Sequence, residues 1–155
     1  MTPAVTAARC AGIEFEVLEY DASDAAEPWG TGAARALGIA AERVFKTLVV
    51  DLAGASLAVA IVPVAARLDL KAVAAALGVK RAAMAEAAVA ERATGYVRGG
   101  ISPLGQRRRL AFAIDESALG FERIHVSAGR QGLEIGLDPG DLVRLVGAVV
   151  ARIAR

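Results

Sequence analysis

The sequence predicts an α/β domain with a mixed β-sheet, and three observations support this prediction. Strand-like and helix-like segments alternate irregularly along the 155 residues. At least two pairs of strand-like segments are joined by short turns that are typical of β-hairpins. No Gly-x-Gly-x-x-Gly run follows a strand-like segment and no P-loop motif is present, which disfavours the doubly wound nucleotide-binding folds.

The individual elements are predicted from capping and turn residues. Thr2 is a suitable N-cap and Gly12 a suitable C-terminal cap, so a helix is predicted over 3–11. Pro139 suits the first turn of the last helix, which we expect to run from 139 to about 153. The other predicted helices cover 33–37, 70–77 and 84–91. The predicted strands cover 13–20, 44–51, 57–62, 110–114, 124–127 and 133–137. The expected loops are 21–32 and 95–105.

The composition excludes several classes of protein. The net charge is only +1, from 18 basic and 17 acidic residues, so the chain lacks the basic field of a general nucleic-acid binder and no DNA partner is expected. The single cysteine, Cys10, rules out an internal disulfide, fits a reducing compartment and is expected to be packed. No apolar run is long enough to span a bilayer, and the first residues lack the pattern of a signal peptide. We therefore expect one cytoplasmic domain over 1–155, without a membrane partner.

Lys46 is the most informative charged residue. Because side chains alternate in a strand, Val44, Lys46 and Leu48 share one face. Lys46 thus lies at the end of an apolar face, where an unpaired ammonium is costly and requires an anionic or dipolar partner. A pocket for a phosphate or carboxylate would supply that partner. A lysine that reaches solvent from the strand end is the simpler interpretation.

The irregular segment 95–105 is a second candidate feature. Gly99 and Gly100 leave backbone N–H groups accessible to an oxyanion or a ribose, although a structural turn is the simpler interpretation. The basic run 107–109 could contact an RNA backbone, but a solvated surface is the more common role of such a run.

The remaining reactive residues form no standard catalytic constellation. His125 is the only histidine, and no nucleophile and acid accompany it in the sequence, so a structural or exposed role is predicted. One histidine, one cysteine and no tight carboxylate group leave no set of metal ligands, and no cofactor is expected. Glu134 and Asp141 each lie beside a glycine-containing turn, where either could be functional or a surface charge.

Several motifs resemble the YbaK family of Cys-tRNA(Pro) deacylases over nearly the whole chain. The matching runs are TPAV (2–5), VFKTL (44–48), VPVA (62–65), LDLK (68–71), AALG (75–78), TGY (94–96), GGISPLGQ (99–106) and the segment 126–133. The FKTL run on a predicted strand and the GGISPLG run are specific in combination, because both their order and their spacing agree with the family.

This resemblance implies an editing domain akin to the insertion domain of bacterial prolyl-tRNA synthetases, with a mixed, strongly curved sheet flanked by helices. Lys46 matches the family's key lysine, which anchors the terminal phosphate or ribose of the tRNA and orients the ester. The residues that match substrate-binding positions are Tyr20, Trp29, Thr47, Gly100, Ile101, Ser102, Ser127, Gly129 and Glu134. Glu134 departs from the aspartate that is usual in the family, and Trp29 is bulkier than the usual phenylalanine. These departures bear on which amino acid is accepted.

The activity implied by the resemblance is the clearance of mischarged Cys-tRNA(Pro). In YbaK-like enzymes the substrate's own thiol attacks the ester carbonyl, which accounts for the missing triad. The implied partners are the acceptor end of tRNA(Pro) and prolyl-tRNA synthetase, which would supply tRNA selectivity to a nearly neutral protein. Three alternatives remain: a deacylase for alanine or another small amino acid, a non-catalytic module that binds tRNA ends or the synthetase, and a binder of small phosphates.

Overall fold

Two β-sheets of different size enclose the main core between them. The computed structural model describes residues 1–22, 29–54 and 56–155, and it describes only the backbone of residues 29 and 30. The helices are α1 (Pro3–Ala11), α2 (Trp29–Leu37), α3 (Leu70–Ala76), α4 (Ala87–Thr94) and α5 (Pro139–Val146). The strands are β1 (Phe15–Glu19), β2 (Phe45–Leu52), β3 (Ser56–Pro63), β4 (Ala83–Met84), β5 (Ala111–Asp115), β6 (Ile124–Arg130), β7 (Leu133–Leu137) and β8 (Val149–Ala151).

The strand order confirms an α/β fold with a mixed sheet. The larger sheet has the order β4-β2-β3-β5-β8, with antiparallel pairs at β2 and parallel pairs on both sides of β5. The smaller sheet is antiparallel, with the order β1-β7-β6. The two sheets meet at a parallel bridge between Val44 and His125. The described strands therefore form two joined sheets instead of the single sheet that was expected.

Local signals account for the elements that were predicted correctly. Thr2 Oγ1 accepts a hydrogen bond from the Val5 N–H at 3.2 Å, and Gly12 ends α1 with a φ of 70°. The predicted hairpin of 44–51 and 57–62 is present as β2 and β3. The segment 95–105 contains no helix or strand, as the density of glycine and proline predicted.

The prediction of a long last helix is wrong. α5 ends at Val146, because Gly147 adopts a φ of 65° and its N–H bonds back to the Val143 carbonyl. The chain then forms β8, which pairs in parallel with β5. The helical spacing of apolar residues continues past Gly147, but it does not reflect a helix there. Val149 and Val150 are β-branched and favour a strand, and Val149 pairs with Ala113 of β5, 36 residues earlier in the chain.

Three smaller expectations are also wrong. The helix predicted over 84–91 begins at Ala87, because Ala83 and Met84 pair with β2 as a short strand. α2 begins at Trp29, within the segment expected to be a loop. Cys10 is exposed on α1, so it does not contribute to the core.

The main core lies between the two sheets and under α1. Its largest fully buried side chains include Phe45 and Ile61 from the larger sheet and Ile135 and Leu137 from the smaller one. A second cluster around Val62 and the α3 side chains covers the opposite face of the larger sheet. Among the residues that the structure describes, no helix combines the length and the apolar character that a bilayer span requires.

Candidate active site

A cavity of about 430 Å³ opens where β2 and β6 part beyond the Val44–His125 bridge. One wall is formed by Val44 and the following residues 45–49 of β2. The opposite wall belongs to the smaller sheet, and Tyr20, Ser127 and Glu134 project from it. The start of α4 with the two residues 84–85 before it, and the irregular segment 95–105, form the sides, while Ala33 of α2 and Val64 after β3 complete the lining. Both the size and the mostly apolar walls suit a small ligand with a few polar groups.

Most of the site residues predicted from the sequence come together in this cavity. Those that line it are Tyr20, Lys46, Thr47, Ile101, Ser127 and Glu134. Gly99, which the sequence also indicated as a candidate, lines it too. Arg98, from the same irregular segment, lines the cavity and was not predicted. The predicted Trp29 side chain lies outside the described residues, and only the start of α2 at that position is defined.

Gly100, Ser102 and Gly129 do not line the cavity but hold its rim in shape. A Cβ atom on Gly100 would lie 2.6 Å from the Arg130 Cα, so the loop can approach the end of β6 only with a glycine there. Ser102 is fully buried, and its Oγ accepts the Leu104 N–H at 3.2 Å. At Gly129 the φ is 112°. These three residues therefore fix the position of Gly99 and Ile101, which reach the cavity.

The open edge of β2 supplies main-chain groups to the cavity. The Val44 carbonyl accepts the Val64 N–H at 2.8 Å on the β3 side, and the Val49 carbonyl accepts the Ala85 N–H at 3.1 Å on the other side. Because main-chain groups alternate along a strand, Thr47 points its N–H and C=O to the same side as Val49. The Thr47 Oγ1 atom is buried and has no hydrogen-bond partner among the described residues. Thr47 thus has polar groups that a ligand could satisfy.

Lys46 lies half-buried at the end of an apolar face, as the sequence predicted. Leu48, two residues further along that face, packs into the cluster around Val62 and Val73. Burial lowers the pKa of Lys46, and the positive charge of Arg67 lowers it further. Within the described part of the chain, no carboxylate lies within ion-pair distance of the Lys46 ammonium. The cavity therefore contains a cation that has no counter-ion among residues 1–22, 29–54 and 56–155.

Glu134 places a buried carboxyl group in the same cavity. It lies in β7 between Leu18 and Ser127 and is only 6% exposed. Burial raises the pKa of Glu134 to about 8, because the charged form is poorly solvated there. The pKa of Tyr20 is also raised, mainly by its own burial and to a smaller extent by the nearby Glu134. At neutral pH the buried carboxyl group is therefore mostly protonated and can donate a hydrogen bond as well as accept one.

The cavity offers no conventional protein nucleophile with a base beside it. No cysteine or histidine is among the described residues that line it, and Cys10 is exposed on α1. His125 is buried outside the cavity, with a pKa lowered chiefly by burial. Ser127 Oγ accepts the Gly129 N–H at 3.1 Å and has no basic side chain as a recorded partner in the described structure. The site can hold and orient an ester, but the described residues do not form a triad.

Comparisons with known proteins agree with this architecture. The family model for the aminoacyl-tRNA editing domain matches residues 31–145. EbsC of Enterococcus faecalis (strain ATCC 700802 / V583), which is provisionally named a Cys-tRNA(Pro)/Cys-tRNA(Cys) deacylase, is 38% identical over 120 residues, covering 77% of this chain and 73% of that protein. The chain therefore belongs to the aminoacyl-tRNA editing family. The protein is therefore an aminoacyl-tRNA deacylase, that is, a hydrolase that cleaves the aminoacyl ester.

Solved structures share the fold over nearly the whole chain. A crystal structure described provisionally as a trans-editing enzyme for prolyl tRNA synthetase has a TM-score of 0.87 at 25% identity, covering 99% of this chain and 95% of that one. The hypothetical protein APE2540 has a TM-score of 0.88 at 23% identity, covering 99% of this chain and all of that one, which bears on the fold alone.

Proposed function

We propose that the protein removes cysteine from mischarged Cys-tRNA(Pro) in the cytoplasm, with help from the substrate's own thiol. The observation that carries this proposal is Lys46, a half-buried cation with no carboxylate partner among the described residues, in a cavity whose described lining has no nucleophile paired with a base. A tRNA end supplies both missing parts, because its phosphates are anionic and a cysteinyl group has a thiol next to the ester. The 38% identity to a protein named as a deacylase of this substrate supports the choice of cysteine.

In the proposed reaction the thiol sulfur attacks the ester carbonyl carbon. The bond from that carbon to the ribose oxygen breaks, and the thiol proton ends on the released ribose hydroxyl. The products are a cyclic thiolactone of cysteine and free tRNA, and water then opens the thiolactone. The protein contributes by holding the reacting atoms in contact and by stabilising the charge that develops on the carbonyl oxygen.

Several residues in and around the cavity have distinct parts in this proposal. Lys46 orients the tRNA 3′ end through a phosphate or ribose oxygen. The main-chain N–H and C=O of Thr47 bind the backbone atoms of the aminoacyl group, and Ile101 and Gly99 limit the size of the amino-acid side chain that is accepted. Protonated Glu134 and Ser127 supply polar contacts from the smaller sheet. Gly100, Ser102 and Gly129 maintain the loop, and Trp29 completes the pocket as the resemblance implies.

We further propose that the editing domain spans all of 1–155 and that prolyl-tRNA synthetase supplies the tRNA selectivity. The first residues pack on the loop and strand that shape the cavity: Thr2 Oγ1 donates a hydrogen bond to the Ala128 carbonyl, and Pro3 lies against Gly105. The net charge of +1 supports weak intrinsic affinity for RNA. Selectivity for tRNA(Pro) by the isolated protein at physiological salt would refute the role of the synthetase.

Deacylation assays with Cys-tRNA(Pro), Ala-tRNA(Pro) and Ser-tRNA(Pro) test the proposal. We expect rapid loss of cysteine only, and a fall of at least ~100-fold in Lys46→Ala, because an orienting cation is lost from the transition state. Lys80→Ala, which removes an exposed lysine outside the cavity, is the matched control and should keep full activity. Loss of alanine instead of cysteine would assign another substrate, and loss of neither would favour a binding module.

A further inference from the structure

Four exposed arginines lie around the end of α4 and form the α4 arginine cluster: Arg92, Arg98, Arg107 and Arg108. Arg92 lies in the last turn of the helix, and Arg98 lies in the irregular segment that follows it. Arg107 and Arg108 belong to the basic run for which the sequence left a solvated surface and an RNA contact as alternatives. The surroundings of this run favour the RNA contact.

Hydrogen bonds hold the basic run against the end of α4. The Arg107 N–H donates to the Thr94 carbonyl at 2.9 Å, and the Arg108 N–H donates to the Ala93 carbonyl at 3.0 Å. The Arg107 side chain lies over Gly95, because a Cβ atom placed on that glycine would be 3.5 Å from the Arg107 Nε atom. The end of the helix and the basic run therefore belong to one surface.

The other end of this surface is the cavity. Arg98 lines the cavity, and its main-chain N–H donates to the Glu91 carboxylate at 2.8 Å. Ala87 and Ala90, at the start of α4, line the cavity as well. Since an α-helix rises about 1.5 Å per residue, the end of α4 at Thr94 lies roughly 10 Å from Ala87. A chain molecule whose terminus enters the cavity can therefore pass over the cluster.

The positive charge of the cluster has no carboxylate partner in the part of the chain that the structure describes. The ion pairs found there join Arg123 to Glu16 and Arg144 to Asp141. Attraction to the carbonyl end of α4 explains the position of Arg107 in structural terms, but it does not explain an arginine that lines the cavity. Guanidinium groups bind phosphate through paired N–H donors, so a row of them suits a phosphodiester backbone.

We propose that the α4 arginine cluster binds the phosphate backbone of the tRNA acceptor stem, next to the 3′ end in the cavity. This inference rests on the proposed function for the placement of that 3′ end. Contacts with phosphates position an RNA without reading its sequence, so the cluster adds affinity but no selectivity for tRNA(Pro). The net charge of +1 is compatible with this role, because the cluster is a local excess of positive charge that acids elsewhere in the chain offset.

Binding of an RNA hairpin that has an acceptor stem and a CCA end, but no amino acid, tests the cluster without requiring deacylation. Fluorescence anisotropy at several salt concentrations gives the affinity and its salt dependence. Arg107→Gln/Arg108→Gln should bind about tenfold more weakly, and the slope of log K against log[salt] should fall in magnitude by about 1.5, because each phosphate contact contributes roughly 0.7–0.9. Arg144→Gln/Arg152→Gln is the matched control, which removes the same charge from α5 and from the chain after β8 and should bind like wild type.

Steady-state deacylation separates positioning on this surface from the chemistry in the cavity. Arg107→Gln/Arg108→Gln should raise the KM for Cys-tRNA(Pro) about tenfold and leave kcat nearly unchanged, because contacts outside the cavity are the same in the ground state and the transition state. Cleavage of cysteinyl-adenosine, which ends before the cluster, should be unaffected. Urea unfolding of both double variants checks that neither acts through loss of the fold.

Equal loss of hairpin affinity in the two double variants would overturn the inference, because only the total charge would then matter. Loss of affinity without a change in the salt slope would overturn it too, as would a wild-type affinity for the hairpin no greater than that for the trinucleotide CCA. Unchanged hairpin affinity with weakened binding to prolyl-tRNA synthetase would assign the cluster to a protein partner instead. Absence of deacylation together with the expected hairpin binding would refute the proposed function and leave the cluster's role intact.

Discussion

Replacing Glu134 by glutamine should change how the stability of the protein depends on pH. Glu134 is buried in β7, and no ion pair with a described residue compensates its charge. Its folded-state pKa of about 8 lies above the ordinary value of 4.5 that applies in the unfolded chain. Between about pH 4.5 and pH 8, the Glu134 carboxyl therefore keeps its proton in the folded state but has lost it in the unfolded state.

The sign and the magnitude follow from linkage. Because the folded pKa is raised, the favourable contribution is complete below about pH 4.5 and is lost as the pH rises towards 8. Each pH unit in this window costs ~1.4 kcal/mol, so wild type should lose ~4 kcal/mol of unfolding free energy between pH 5 and pH 8 through this group. Glutamine has a similar shape but no charge, so Glu134→Gln should lack this loss.

Urea unfolding of both proteins at intervals from pH 5 to pH 9 measures the difference directly. Glu116→Gln, at an exposed glutamate of the short 3₁₀ helix Glu116–Gly120, is the control for loss of a carboxylate and should follow the wild-type profile. If the profiles of wild type and Glu134→Gln stay parallel across the range, Glu134 is not desolvated in the folded protein and the assignment of a protonated acid to the cavity is wrong.

Two further predictions concern residues that support the site. Gly100→Ala should lower the free energy of unfolding by about 1–3 kcal/mol, measured in urea, and should lower deacylation, because the new Cβ would lie 2.6 Å from the Arg130 Cα. Gly120→Ala is the control, because a Cβ there would have no atom within 4 Å, and it should change neither property. Equal behaviour of the two variants would contradict the packing argument. Asp115→Asn should cost about 3 kcal/mol at neutral pH, because Asp115 Oδ1 accepts the N–H groups of Ile153 and Ala154 at 2.9 Å and fixes the chain after β8. Burial alone would raise the pKa of Asp115, but hydrogen bonds from Ser117 and from these N–H groups outweigh burial and lower the pKa. The stability advantage of wild type over Asp115→Asn should therefore shrink as the pH falls below ~3.9. An advantage that persists at lower pH would refute the role of a charged carboxylate as the acceptor.

The amino-acid pattern was sufficient for elements that depend on local interactions. The cap at Thr2, the left-handed glycine at Gly12 and the alternation along 44–51 each specify a helix end or a strand without distant contacts. The pattern failed where two local interpretations compete. The segment 147–153 has helical spacing, but the partner that makes it a strand, β5, is far away in the sequence.

The residues of the candidate site also include some that the sequence could indicate and some that depend on contacts between distant segments. Lys46 could be singled out because a charged residue at the end of an apolar face is visible in the alternation of a strand. The charge of Arg67, which lowers the pKa of Lys46, belongs to a segment after β3 that the alternation along β2 does not reveal. Arg98 lines the cavity from the irregular segment after α4, which no local pattern places there.

The sequence by itself determined the family, the class of fold and the lysine at the centre of the proposed mechanism, because these depend on residue types at fixed spacing. Only the tertiary structure decided that Glu134 loses its water and holds a proton, and that Thr47 turns its main-chain N–H and C=O groups to the cavity. Desolvation and the interaction between charges depend on distances between segments that are remote in the chain, so these properties emerge only when the two sheets come together.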